Sequence, residues 1–222
     1  MSASTTISIK TDILAENSIQ GDDLRKNLES HETKMINLMA SPGSGKTSVI
    51  IATIEQLKQD LSFAVIEGDI ESMVDSNKVK DHGVTAVQIN TGGACHLDVP
   101  MIKPALDLID LPKTDIIFVE NIGNLVCPAE FDIGENLKVM ILSVPEGHDK
   151  ILKYPLMFSV VDVLIVNKID YLELPSNNFD LDWLMNNARS LNPKIKIFPV
   201  SAYTGEGMAD WCSFLKDFSQ TK

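Results

Sequence analysis

Two hydrophobic textures divide the chain. Residues 1–34 are mostly polar, with apolar side chains at helical spacing (Ile13, Leu14, Ile19, Leu24, Leu28) and Gly21 interrupting them. That pattern predicts a frayed tail followed by one or two amphipathic helices. From Met35 onward, short β-branched runs alternate with longer helical patterns. The runs predict strands at Met35–Met39, Phe63–Ile66, Val84–Ile89, Ile116–Val119, Val139–Val144, Val163–Val166 and Ile195–Val200. Strands separated by helices pair through βαβ crossovers, so the expected fold is α/β: a mainly parallel seven-stranded sheet with helices on both faces. Ligands of such folds bind beyond the carboxyl ends of the strands, where Thr47, Asp69, Glu120 and Asn167 fall.

Composition narrows the field of partners. A chain of 222 residues suits one α/β core, and its formal charge of -12 comes without a basic stripe in any window, which disfavours a nucleic-acid partner. The longest nearly apolar stretch, Tyr154 to Val166, contains Pro155 and Asp162 and is too short for a bilayer, so no membrane association is expected. The amino terminus shows no charged-then-apolar leader, which makes the cytoplasm the expected location. The three cysteines have no CxxC spacing. Reduced, available thiols are expected rather than a disulfide framework.

The first chemical phrase is Ala40-Ser41-Pro42-Gly43-Ser44-Gly45-Lys46-Thr47, close to the G-x-x-x-x-G-K-[ST] phosphate loop. Gly43 and Gly45 let the backbone curl around phosphate oxygens, and Ser44, Lys46, Thr47 and Ser48 surround them at a helix start whose dipole favours an anion. Ala40 replaces the first glycine, at a strand end that requires only a small residue. The Thr47 hydroxyl is a Mg²⁺ ligand that needs hard-oxygen companions, and Asp69, Asp75 and Glu120 are the candidates. Each of these acids also fits an N-cap or a solvated loop position. Lys46, Thr47, Asp69 and Glu120 are the residues expected to carry phosphoryl chemistry. The only arginines, Arg25 and Arg189, adjoin none of them. Slow intrinsic hydrolysis is the expectation.

The second phrase, Asn167-Lys168-Ile169-Asp170, follows another β-branched run. One carboxylate at Asp170 can accept both N1–H and N2–H₂ of guanine, whereas adenine offers an acceptor at N1. Asn167 is expected to brace the loops, Lys168 to lay its stem along the base, and Ser201-Ala202 to offer backbone N–H to guanine O6. The two phrases together describe a site for GTP or GDP. Residues 1–34 then form an N-terminal helical extension and 35–222 a P-loop GTPase domain.

A third constellation is Asn90-Thr91-Gly92-Gly93-Ala94-Cys95-His96 together with Cys127, which lies just past Glu120-Asn121-Ile122-Gly123 in the place of a γ-phosphate-sensing loop. Thiolate and imidazole suit zinc, copper and nickel rather than magnesium. Three ligands fall short of a closed tetrahedral site, and two chains meeting on a two-fold would complete it. The blander reading makes Cys95 and Cys127 small buried hydrophobes and His96 a polar residue at a helix start. His148 is a further candidate ligand or a surface residue, Cys212 reads as core, and His31 and His82 read as solvated.

With those residues in view, the chain resembles the HypB family, the nickel-inserting GTPases of hydrogenase maturation. The resemblance rests on Ser41 to Thr47, Glu67-Gly68-Asp69, Asn90-Thr91-Gly92 with Cys95-His96-Leu97, Glu120 to Pro128, and Ser143 to Gly147. It implies a SIMIBI-like P-loop NTPase fold and a GTP- and metal-promoted homodimer with nickel or zinc on Cys95, His96 and Cys127. It also implies the metallochaperone HypA and the hydrogenase large-subunit precursor as partners. Three departures stand out. Residues 1–34 have no cysteine and only His31, against a nickel-storage role; His148 stands where relatives usually carry an acid; and Asn77-Lys78 replaces an acidic-arginine pair. A urease-type nickel GTPase carries a Cys-Pro-His motif that is missing here. A P-loop small-molecule kinase would not need Asp170, and a passive metal-binding protein would not need Lys46 and Thr47.

Overall fold

The computed structural model describes residues 9–69, 79 and 82–221. Asp75 and Asn77-Lys78 lie outside the described residues. Seven strands form one sheet: β1 (Lys34–Ala40), β2 (Phe63–Asp69), β3 (Thr85–Asn90), β4 (Ile116–Glu120), β5 (Leu137–Ser143), β6 (Val163–Asn167) and β7 (Lys196–Pro199). Their order is β3-β2-β4-β1-β5-β6-β7, and every pairing is parallel. The strands match the β-branched runs to within a few residues. Val144 is the exception in kind, because it opens a 3-10 turn instead of closing β5. Ser143 caps that turn reciprocally with Glu146, so the pattern of apolar residues continues after the strand has ended.

Strand periodicity sorts the core. Ile36, Leu38 and Ala40 of β1 and Val139 and Ile141 of β5 point to one face, where they meet Val49, Ile50, Ile54 and Leu57 of α2 (Lys46–Leu57) and Trp211 and Leu215 of α7 (Met208–Ser219). The opposite face carries two apolar clusters. One joins Met35, Ile66 and Val119 to Leu24 and Leu28 of α1 (Ile9–Ser30) and to Ile102, Ala105 and Leu106 of α3 (Val99–Leu106). The other gathers Met39, Met140 and Leu142 against Ile151 of α4 (Lys150–Lys153), Phe158 of α5 (Pro155–Val160) and Leu184 of α6 (Leu181–Leu191). On β1, Asn37 lies between Met35 and Met39 on this face, fully buried, at the seam of the two clusters.

Two expectations for the first segment change. Gly21 does not interrupt the helix, since α1 runs as one element of 22 residues. Ile19, placed on the apolar stripe by its spacing, is 65 % exposed, while the polar Asn17 is buried. Among the described residues no helix is long and apolar enough to cross a membrane.

Candidate functional site: a phosphate cleft joined to a thiol-imidazole cluster

A cleft of about 500 Å³ opens at the carboxyl ends of β1, β2 and β4, bordered by Gly45, Lys46 and Thr47 on one side and by Asp69, Glu120 and Gly123 on the others. The loop leaving β1 enters α2 through Gly45, whose φ of 97° lies in the left-handed region that glycine adopts without strain. A side chain there would also collide with Asn167, whose amide Nδ2 would sit 2.5 Å from an added Cβ. Lys46 is buried to 9 % exposure at the helix start. The Ser44 hydroxyl is buried and has no hydrogen-bond partner among the described residues. A helix N-terminus, an inward lysine and an orphaned hydroxyl around a curled backbone fit a polyphosphate.

Hard oxygens gather beside it. Thr47 Oγ1 donates to both carboxylate oxygens of Glu120, at 3.1 and 3.0 Å, and Asp69 borders the same cleft from the end of β2. The structure therefore brings together three of the four expected magnesium-site residues.

The base-reading phrase is tied to the phosphate loop. Asn167 Nδ2 donates to the Ser44 carbonyl at 3.0 Å, its Oδ1 accepts from Ala202 N at 3.2 Å, and Lys168 Nζ donates to the Gly43 carbonyl at 2.8 Å. Lys168 itself adopts φ 62°, in the left-handed region. Asp170 accepts from the Ser201 hydroxyl at 2.6 Å. The brace expected of Asn167 is thus formed. The two backbone N–H groups assigned to guanine O6 are engaged within the protein, Ser201 N on the Glu206 carbonyl at 2.9 Å and Ala202 N on Asn167.

Cys95, His96 and Cys127 converge from two loops, the one after β3 and the one after β4. Their donor atoms lie within 4.8 Å of one another. The Cys95 and Cys127 sulfurs are 3.0 Å apart and share a thiol hydrogen bond, which with partial burial holds the Cys95 thiol above its ordinary range. His96 Nδ1 lies 3.5 Å from the Cys95 sulfur, and burial lowers the imidazole below its ordinary value. Cys95 is exposed and Cys127 half-buried, so neither packs as a core hydrophobe. Two thiols and one imidazole within reach of one ion are a soft donor set.

Other expectations resolve differently. His148 is not part of the cluster: its Nδ1 accepts from Asp180 N at 3.0 Å, and its ring packs edge-on against Phe179 and Trp183. His82, read as solvated, pairs with Glu55 at 2.6 Å. Cys212 is core, and burial pushes its thiol up to about 11.

Three residues of the Glu120-to-Pro128 phrase, and Phe131 outside any motif, join the two halves. Gly123 packs on the phosphate loop so closely that a Cβ would lie 2.8 Å from the Pro42 ring. Asn124 Nδ2 donates to the Cys95 carbonyl at 3.1 Å while its Oδ1 accepts from Val126 N at 2.9 Å, linking one cysteine loop to the other. Asn121 Oδ1 accepts from Leu97 N at 3.3 Å, and Phe131 stacks on the His96 ring with centroids 3.6 Å apart. A glycine and two asparagines inside a seven-residue loop are a turn signal that spacing could have flagged; Phe131 had none.

Comparison with known proteins agrees with this geometry. Residues 34–199 match the family model described as the CobW/HypB/UreG nucleotide-binding domain. The hydrogenase maturation factor HypB of Escherichia coli strain K12 is 42% identical over 216 residues, spanning 97% of this chain and 74% of that protein. A hydrogenase/urease maturation factor HypB from Helicobacter pylori strain J99 is 38% identical over 94% of this chain and 86% of its own length. The crystal structure of Helicobacter pylori HypB in complex with nickel superposes with a TM-score of 0.87 at 36% identity, covering 92% of this chain and 95% of that one. A P-loop cleft, the Asn167-to-Asp170 loop tied to it and a thiol-imidazole cluster on one parallel sheet, with these likenesses along most of its length, place this chain in the HypB family of CobW/HypB/UreG nucleotide-binding proteins.

Proposed function

We propose that this protein is a GTP-hydrolysing metallochaperone that delivers nickel for the maturation of [NiFe]-hydrogenase, its metal site coupled to a GTP-dependent homodimer. The observation that carries the reading is one short segment serving both sites: Glu120 to Gly123 line the phosphate cleft, and Cys127 follows four residues later beside Cys95 and His96. In this reading Ser44, Lys46 and the loop amides hold the phosphates, and Asp170 selects guanine. Thr47, Asp69 and Glu120 would hold Mg²⁺, which offsets phosphate charge when bound; Asp75 is the remaining candidate. Lys46 stabilises charge on the transferred phosphoryl group.

Cys95, His96 and Cys127 would hold the cargo. Nickel and zinc both suit the donors, and nickel is favoured by the nickel complex of the Helicobacter relative. With three donors per chain, a second copy facing the first completes the ligand set. HypA and the hydrogenase large-subunit precursor are the partners the family implies, and the cytoplasm is where such clients are loaded. The Helicobacter pylori relative's name adds urease as a client. Cys127-Pro128-Ala129 here differs from the Cys-Pro-His of urease-type GTPases, which leaves hydrogenase as the client we assign.

Hydrolysis releases the contacts that Glu120 and Gly123 make around the γ-phosphate and shifts Cys127 relative to Cys95 and His96. Equilibrium dialysis of nickel against protein saturated with GDP or with a non-hydrolysable GTP analogue, with sedimentation of the same samples, tests this. We expect nickel affinities that differ by about 5- to 150-fold between the two states and a dimer with the analogue and metal. Equal affinities, or a monomer at saturation, would reject the coupled switch.

A further inference from the structure

We infer that α1 is a clamp that positions the His96 imidazole, with Asn17 and Arg25 as positioning residues. The inference rests on the metal-site reading for its purpose, and on geometry for its substance. Asn17, Gly21 and Arg25 recur at intervals of four, so they form one stripe along the helix. That stripe faces the segment carrying Phe131 and Asp132. The Arg25 guanidinium grips the Asp132 carboxylate with two bonds, 2.9 and 2.7 Å, and its Nε donates to the Glu135 carbonyl at 3.0 Å. Asn17 Nδ2 donates to the Asp132 carbonyl. Gly21 has a reason in this setting: a Cβ there would lie 3.1 Å from the Asp132 carboxyl, so a larger residue would push that carboxylate away from Arg25 by a few tenths of an ångström. A glycine inside a helix costs about 1 kcal/mol relative to alanine, and here it permits Arg25 Nη2 to reach both oxygens of the Asp132 carboxylate.

The same Asn17 amide holds the other flank. Its Oδ1 accepts from Val99 N at 3.2 Å, at the first residue of α3 and three residues past His96. Asn17 is 6 % exposed, so both bonds are formed away from water. One side chain thus fixes the residue after Phe131 and the residue three beyond His96, and between them the two rings lie stacked at 3.6 Å and 26°. The stack sets the plane of the imidazole, whose Nδ1 lies 3.5 Å from the Cys95 sulfur. The main chains of the two cysteine loops are joined without α1, through Asn124, which bonds the Cys95 carbonyl and Val126 N. Releasing the clamp should leave the cysteines in place and free the histidine alone.

Asn17→Ala tests this on the full-length protein in two ways. In the metal-free state, the His96 ring-proton NMR resonances should lie upfield in wild type from the Phe131 ring current and relax towards ordinary histidine positions in the variant. Nickel affinity by dialysis should fall about tenfold, with thiolate-to-nickel absorption retained, and His96→Ala added to Asn17→Ala should cost no more than His96→Ala alone. Arg25→Lys, which keeps the charge but cannot hold the Asp132 carboxylate and the Glu135 carbonyl at once, should give the same resonance shift in smaller measure and serves if Asn17→Ala does not fold. Unmoved His96 resonances, or nickel losses that add independently, would overturn the clamp. The resonance measurement needs no metal, so wild-type protein that fails to bind nickel would reject the proposed function while leaving the clamp to be decided by NMR.

Discussion

The nucleotide cleft and the thiol-imidazole cluster share the segment from Glu120 to Cys127 yet are held by different means. Around the cleft, support comes from a strand-to-helix turn and from two neighbouring side chains of one phrase: Gly45 caps α2, and the Asn167 amide and Lys168 ammonium bond the carbonyls of Ser44 and Gly43. Around the cysteines, support comes from side-chain amides that reach across the sequence: Asn124 to Cys95, Asn121 to Leu97, Asn17 to Val99. The cradle sits between a strand end and a helix start, so the fold fixes most of it, whereas the cysteine loops lie outside the strands and α-helices and are fixed by a few side-chain bonds that are each worth about 1 kcal/mol. If the proposed function holds, the first suits phosphates gripped in both nucleotide states and the second a metal that must be released.

If the two regions are separately built, a change in the cradle should leave the brace intact. Lys46→Ala removes a buried cation at the α2 start that belongs to none of the apolar clusters. We expect GTP turnover to fall by at least about 10²-fold, as when a charge-stabilising group is lost, with thermal unfolding nearly unchanged. Nickel binding without nucleotide should match wild type. Loss of that binding in Lys46→Ala would break the separation, because the cluster would then depend on Lys46 in the empty cradle for its shape.

The base loop offers a milder test of the same separation. Asp170→Asn retains an acceptor for the Ser201 hydroxyl, which now donates to Asp170 at 2.6 Å, so the loop should keep its fold. The amide can accept only one of guanine's donors and offers a donor of its own, which favours xanthine. GTP affinity should drop by about 10² and xanthosine triphosphate should gain, read by titration with fluorescent analogues. Unchanged GTP affinity would remove Asp170 from the base site.

Legibility followed the same divide. Everything needed for the cradle lies within single runs: the glycines and lysine of 43–47, the buried β-branched strands, and Asn167 to Asp170 at a strand end. Local order dictates local geometry there. Cys95, His96 and Cys127 were readable as ligand types, because thiols and imidazole are rare in this chain. What holds them was not readable. Arg25 meets Asp132 across 107 residues, and nothing in either neighbourhood announces the other. Ile19 was misplaced for the same reason: periodicity finds an apolar stripe but cannot see that Asn17 and Arg25 define the face that packs. The one visible trace was Gly21, an unlikely residue inside a helix unless something approaches closely.

The smallest effect we expect concerns the polar seam beneath the cysteine side. Asn121 Nδ2 donates to Asn37 Oδ1 at 3.1 Å, Asn37 Nδ2 reaches Glu135 Oε1 at 3.5 Å, and Glu135 Oε2 accepts from Ile133 N at 2.8 Å. Glu135 is buried, and burial pushes its carboxyl up to about 7 despite the Lys138 ammonium at 3.6 Å, with the Asp132 carboxylate adding to the rise. In the unfolded chain the same group releases its proton near the ordinary value of 4.5. Between those two values the folded protein keeps a proton that the unfolded chain has lost. Stability from this group is therefore full below about 4.5 and lost as pH rises through about 7. Glu135→Gln keeps an acceptor for Ile133 N and carries no charge, so it removes that loss. Urea unfolding at pH 8 should show the variant more stable than wild type by on the order of 2 kcal/mol, with the gap closing near pH 4.5, while GTP affinity at neutral pH stays the same. A gap of equal size at both pH values would show that Glu135 titrates alike in the folded and unfolded chain, and that burial on the cysteine side does not raise it.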